Sequence, residues 1–198
     1  MKLPVFFKKE KSISINRLFP KVKSNTKINN VVTLSKSKKF DLTFFDSIKY
    51  KSFALNTKAS FCITTEKLEK FLPTHTQKII VKKVLFELAK VLKILYPSAD
   101  IDYPDTSLKS VTRIKIKGVK FGNNVLVGKN VKIGTNTVIG SNSIIEHDVV
   151  IGKSCVVGSN VVLKNTIIGN NVVIQDGTKI GLKGFGFIPI KENNFKFP

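Results

Sequence analysis

A six-residue rhythm runs through the C-terminal part of this chain and limits what it can fold into. Aliphatic or aromatic residues recur at Phe121, Val127, Ile133, Ile139, Ile145, Ile151, Val157 and Leu163, then, after a slip of one residue, at Ile168, Ile174 and Ile180. Glycine follows eight of these eleven residues, at Gly122, Gly128, Gly134, Gly140, Gly152, Gly158, Gly169 and Gly181. Two positions before each stands Val, Thr, Ser or Cys, from Val119 to Thr178. Such a pattern predicts a three-sided coil in which each hexad supplies one short strand and one corner, with about 18 residues to a turn. Strand side chains alternate, so the large residue and the smaller one two before it both point into the prism. Glycine and asparagine at the corners are expected to supply the backbone freedom of a sharp bend. About three and a half coils fit before Pro198.

The residues ahead of the repeat read differently. Mixed patterns in residues 1–99 predict a small α/β (α+β) domain, residues 100–118 read as a connector containing Pro104, and residues 119–198 form the repeat region. Concentrations of apolar and β-branched residues predict strands over residues 30–34, 42–45 and 60–64. One or two helical turns are expected over residues 47–55. Leu85, Leu88, Ala89, Leu92 and Leu95 stand at helical spacing, with lysines and Glu87 elsewhere on the circumference, so residues 82–96 predict a helix that Pro97 stops.

Charge is distributed unevenly. The formal net charge is +21, and residues 1–118 carry 25 Lys and Arg against 9 Asp and Glu. Only Arg17 and Arg113 are arginines, and the lysines are scattered singly or in pairs, which argues against a nucleic-acid binder. An acidic carrier protein or an anionic membrane surface would also be drawn to such a field. No apolar run approaches the ~20 residues that span a bilayer. Pro4 and the lysines from Lys8 interrupt a signal-peptide core, so a cytoplasmic chain is expected. Cys62 and Cys155 lie far apart and lack metal-ligand spacing, predicting reduced thiols, no metal site and no cofactor.

The repeat from Val119 to Gly181 resembles the hexapeptide-repeat acyltransferases, and the resemblance implies a left-handed parallel β-helix. Two further segments are similar to the UDP-3-O-acylglucosamine N-acyltransferases of lipid A synthesis, the LpxD family. Residues 177–187, GTKIGLKGFGF, resemble that family's GxDGFGF segment, with Lys183 where the family has Asp. Residues 42–50, LTFFDSIKY, resemble its uridine-binding motif, in which two rings flank the base and an Asn between them hydrogen-bonds it. The matching positions are Phe44, Ser47 and Tyr50, with Ser in place of Asn. Read without the resemblance, Phe44 and Tyr50 are as readily core residues of a small sheet.

The resemblance implies transfer of a 3-hydroxyacyl group from acyl carrier protein to the 2-amine of UDP-3-O-acylglucosamine by a homotrimer. It implies substrate contacts at Phe44, Ser47, Tyr50, Gly184, Phe185 and Gly186. The family's catalytic histidine lies after the glycine-rich segment, so the expectation is a fragment that lacks it and is inactive alone. His147 reads as an exposed corner residue beside Glu146 and Asp148, and His75 as part of a polar loop. Cys155 occupies an inward repeat position and reads as buried filler. The alternatives are a non-catalytic solenoid that binds nucleotide sugars and a basic structural solenoid that binds anionic partners.

Overall fold

The computed structural model describes residues 4–10, 12–113, 116–184, 186–190 and 194–198. By internal contacts the chain divides into two units, one of Lys9–Asp100 with Phe185–Pro198 and the other of Met1–Lys8 with Ile101–Gly184.

The first unit opens with a single helical turn, α1 (Ile15–Leu18), and is organised by a three-stranded parallel sheet of β1 (Leu42–Phe45), β2 (Phe61–Thr64) and β3 (Gln77–Ile80). A 3-10 turn (Ile48–Tyr50) and the short helix α2 (Lys51–Leu55) carry the chain from β1 to β2. Alternation along the strands gives the sheet two apolar faces. On one, Leu42, Phe44, Ile63 and Ile79 pack with α3 (Val84–Leu95) through Val84, Leu88, Val91 and Leu95, spaced as one helical stripe. On the other, Phe45 and Cys62 meet Leu34, Ala54 and Leu72.

The helix expected over residues 82–96 and the turns expected over 47–55 are therefore present. The strand expected over residues 30–34 is not. Only Val31 bridges to Leu42, and Leu34–Lys36 is a 3-10 turn. Side chains in this stretch hold backbone groups themselves: Val31 N–H donates to Asn30 Oδ1 (2.9 Å) and Ser37 Oγ donates to the Leu34 carbonyl (2.9 Å). Conversely, β3 escapes sequence reading because its first two residues, Gln77 and Lys78, look like an extension of the polar loop before them.

The second unit is the left-handed parallel β-helix. Its eleven short strands end on the eleven large residues of the repeat, from Phe121 to Ile180. One face stacks the strands ending at Phe121, Ile139, Val157 and Ile174; a second those at Val127, Ile145, Leu163 and Ile180; the third those at Ile133, Ile151 and Ile168. On the second face a two-residue strand, β4 (Lys109–Ser110), runs antiparallel along the first coil and pairs with Leu126 and Val127. The interior is a continuous column in which Ile139, Ile145 and Leu163 are fully buried. The smaller inward residues fill it without polar cost: Thr137 donates to the Gly152 carbonyl and Ser143 to that of Gly158, both at 2.9 Å.

Corner chemistry divides between two residue types in a way the sequence reading merged. The left-handed backbone conformation falls mostly on asparagines, with φ between 49° and 62° at Asn124, Asn130, Asn136, Asn142, Asn160, Asn165 and Asn171, and at the equivalent corners on Asp148, Ser154 and Gly177. Most glycines that follow the large residues, Gly181 (φ 81°) excepted, serve another purpose. A Cβ on Gly134 would stand 2.6 Å from the backbone of Gly152, and one on Gly140 would stand 2.5 Å from that of Gly158. These glycines let successive coils touch. The slip in the repeat falls at Lys164 and Asn165, where the corner loses one residue. Coils below it pair residues eighteen apart, as Val127 with Ile145, and coils above it seventeen apart, as Leu163 with Ile180.

Leu163→Ala removes a fully buried side chain and is expected to cost about 2–5 kcal/mol. Val156→Ala, on an outward side chain 47% exposed, should cost less than about 1 kcal/mol. Urea denaturation of both variants measures the difference.

Candidate functional site

The end of β1 sets the geometry of a cavity that gathers the candidate residues of segment 42–50. Phe44 is the last residue of that strand pointing to the α3 side, and it packs partly against that core. Two residues later the chain leaves the sheet. Ser47 stays extended (φ −143°, ψ 135°), and its carbonyl accepts from Tyr50 N–H at 3.0 Å, closing the 3-10 turn. Strand, bend and turn in that order bring Phe44, Ser47 and Tyr50 to one cavity of about 410 Å³. Thr33, Leu34 and Ser35 form part of its wall, and Asp46, Lys49 and Phe53 complete it.

The cavity combines ring faces with a few polar groups, the usual make-up of a small-molecule site. Tyr50 is 40% exposed, and the Lys49 ammonium lies 4.8 Å from its ring centroid. Such a cation polarises the ring and is itself available to an anionic group of a ligand. Ser35 and Ser47 offer hydroxyls that can donate or accept, and Asp46 offers only acceptors. Phe44 fits both sequence readings, because it packs on the core with one part and lines the cavity with another.

Gly184 ends the β-helix unit, and Gly186 precedes a hairpin of Phe187–Pro189 with Asn194–Lys196, its carbonyl accepting from Phe197 N–H at 3.0 Å. Gly186 is not among the cavity's lining residues. Phe185 lies outside the described residues.

His75 is exposed in the loop before β3, as the sequence suggests, whereas His147 is more enclosed than an exposed corner residue would be. His75 Nε2 is 3.2 Å from the Thr57 carbonyl. At its corner His147 is only 31% exposed at the side chain, with Nδ1 2.9 Å from Asp148 Oδ2. Its backbone N–H donates to Asp105 Oδ2 at 2.7 Å. One coil further on, Lys164, 7% exposed, reaches Glu146 at 3.1 Å and Asp102 at 3.9 Å. The thiols are equally withdrawn. Burial pushes Cys62 up to about 12, and Cys155 Sγ donates to the Gly169 carbonyl at 3.1 Å. Among the described residues no cluster of three metal-ligating side chains occurs.

Comparison with known families bears directly on this arrangement. Residues 25–94 match the UDP-3-O-(3-hydroxymyristoyl) glucosamine N-acyltransferase family, LpxD. Residues 118–153 and 130–165 match the bacterial transferase hexapeptide, described as six repeats. Together the two matches support an LpxD-like hexapeptide acyltransferase. No curated protein matches it. In this LpxD-like chain the N-terminal match contains every residue that lines the Phe44 cavity, and the repeat matches cover most of the β-helix. No helix among the described residues is long and apolar enough to cross a membrane.

Several functional candidates had no signal of their own in the LpxD-like sequence. Thr33, Ser35, Asp46, Lys49 and Phe53 enter the cavity only because β1 and the helical run meet there. Lys164 was marked, indirectly, by the slipped repeat. The strap of residues 102–110 is tied to the β-helix by Asp105, which accepts from the Ser107 hydroxyl (2.6 Å), Ser107 N–H (2.8 Å) and His147 N–H. Burial alone would raise the Asp105 pKa, but these hydrogen bonds outweigh it and hold the carboxyl below its ordinary value.

A folded-state pKa below the unfolded one means stabilisation that is present above the ordinary Asp range, near 3.9, and lost as pH falls through the folded value. Asp105→Asn should therefore lower the urea midpoint at about pH 7, with the gap to the parent narrowing as the medium is acidified. Urea titrations across that range test the tie.

Proposed function

We propose that the Phe44 cavity binds the uracil ring of a UDP-sugar and that the chain serves the N-acylation of UDP-3-O-acylglucosamine in lipid A synthesis. The observation that supports this reading is the meeting of Phe44, Ser47 and Tyr50 in one cavity, since the three stand at the family's spacing and include both its rings. Phe44 and Tyr50 hold the flat base by stacking. Ser47 supplies the hydrogen bond between them, a shorter reach than the amide of the family motif. The Lys49 ammonium at the rim favours the diphosphate.

In the proposed reaction the 2-amine of the glucosamine attacks the thioester of a 3-hydroxyacyl group on acyl carrier protein. A C–N bond forms, the C–S bond breaks, the amine proton passes to a general base and the carrier's thiol leaves protonated. We assign that base to neither His75 nor His147. Gly184, Phe185 and Gly186 are proposed on the sugar side by their resemblance to the family segment. No cofactor is needed for the transfer. Assembly as a homotrimer is part of the proposal, supported by an outward apolar ladder on one β-helix face, where Val138, Val156 and Val173 are paired in register and exposed. The site of action proposed is the cytoplasm, where carrier-linked acyl groups are available.

Calorimetric titration with UDP-N-acetylglucosamine tests the cavity. Phe44→Ala and Tyr50→Ala are each expected to weaken binding by about 1–3 kcal/mol, the scale of a lost base–ring stack. Tyr50→Phe should bind nearly as the parent does, and Ser47→Asn at least as tightly. A folded protein that takes up no nucleotide sugar overturns the assignment.

A further inference from the structure

The helical run from Ile48 to Leu55 exposes more apolar surface than its fold requires. Within these eight residues Ile48 is 55% exposed, Tyr50 40%, Phe53 50% and Leu55 52%, while α2 buries only Ala54. Tyr50 and Phe53 are accounted for by the cavity they line. Ile48 and Leu55 are not part of it. Seven residues apart, they fall on one side of the run, with Lys51 and Ser52 between them. Exposed large apolar residues gathered in this way mark an interaction surface more often than scattered ones do.

The surroundings of this face restrict what it meets. Lys49 and Lys51 extend from the same run, and Lys58 follows three residues beyond it, all exposed. The lysine stems lie along apolar neighbours, with the Lys51 ammonium 4.8 Å from the Phe71 ring centroid. Residues 9–100 carry 19 Lys and Arg against 7 Asp and Glu, so the field around the face is positive. Exposed apolar side chains with exposed lysines beside them in the chain match the boundary of an anionic bilayer, where acyl chains take the first and lipid phosphates the second. A soluble polyanion would engage the lysines but would have no use for Ile48 and Leu55.

We propose that the Ile48–Leu55 face docks the protein on an anionic phospholipid surface, with Ile48 and Leu55 entering the acyl boundary and Lys51 and Lys58 meeting the phosphates. Docking is peripheral and needs no membrane-spanning segment. It is separate from uridine binding, because neither Ile48 nor Leu55 lines the nucleotide cavity.

Co-sedimentation with vesicles tests the docking. The purified chain is expected to bind phosphatidylglycerol–phosphatidylcholine vesicles, to ignore pure phosphatidylcholine ones and to release as salt rises. Ile48→Asp with Leu55→Asp should weaken binding at least about tenfold. Leu85→Asp with Ile94→Asp makes the same change of charge at two residues of α3, each 44% exposed, and should bind as the parent does. Thermal melts confirm that each pair folds, and Ile48→Ser with Leu55→Ser replaces the aspartates if that pair melts early. Absence of vesicle binding by the parent overturns the proposal. So does equal weakening by the two aspartate pairs, the result expected of diffuse attraction to any polyanion, acidic protein included.

Discussion

Close stacking of coils is the constraint on which the β-helix rests. A strand of two or three residues has too few hydrogen bonds to be stable alone, and each coil is held only because the next satisfies its backbone and covers its aliphatic residues. The glycines after the large residues permit that approach, since coil backbones pass where a Cβ would stand. Asparagine then turns the corner at little steric cost. Removing either residue type would leave the column of Ile139, Ile145 and Leu163 without a scaffold that keeps it dry.

How much of this was legible depends on how locally it is encoded. The eleven strands end where the hexads say because inward pointing, corner turning and coil contact are each carried by one residue type at one offset. Gly134 and Asn136 show the limit of that reading. Both are residues of low steric demand, and only the structure separates the one needed for closeness from the one needed for its φ. The first unit was less legible for a related reason. Val31 and Val32 look like a strand, but Asn30 and Ser37 bind local backbone groups and the ladder stops at one bridge. Gln77 and Lys78 look like a loop, yet they lie in a parallel strand set by β2 beside them.

The candidate site follows the same logic. Phe44, Ser47 and Tyr50 were accessible to sequence reading because a strand end followed by a tight turn is a local device, and their spacing survives folding. Thr33 and Ser35 were not, because they reach the cavity through the pairing of their segment with β1. Phe44 belongs both to the core and to the cavity wall. A ring anchored on one side is held in place before a ligand arrives, which lowers the ordering cost of a stacked complex. Tyr50, more exposed, lacks that anchorage, and the Lys49 ammonium lies 4.8 Å from its ring centroid.

The shortened corner at Lys164 has a consequence for folding as a whole. A stack of near-identical coils is almost degenerate: shifting one strand by a full coil leaves the inward aliphatics inside and most backbone pairs intact. Lys164, 7% exposed, ends that equivalence. Its ammonium is tolerated only where Glu146 and Asp102 reach it, and any other alignment would strand a charge against apolar neighbours. The change from eighteen-residue to seventeen-residue pairing falls at the same corner. One irregular turn thus acts as an index mark on a repetitive ladder, raising the energy of misaligned stacks above that of the native one.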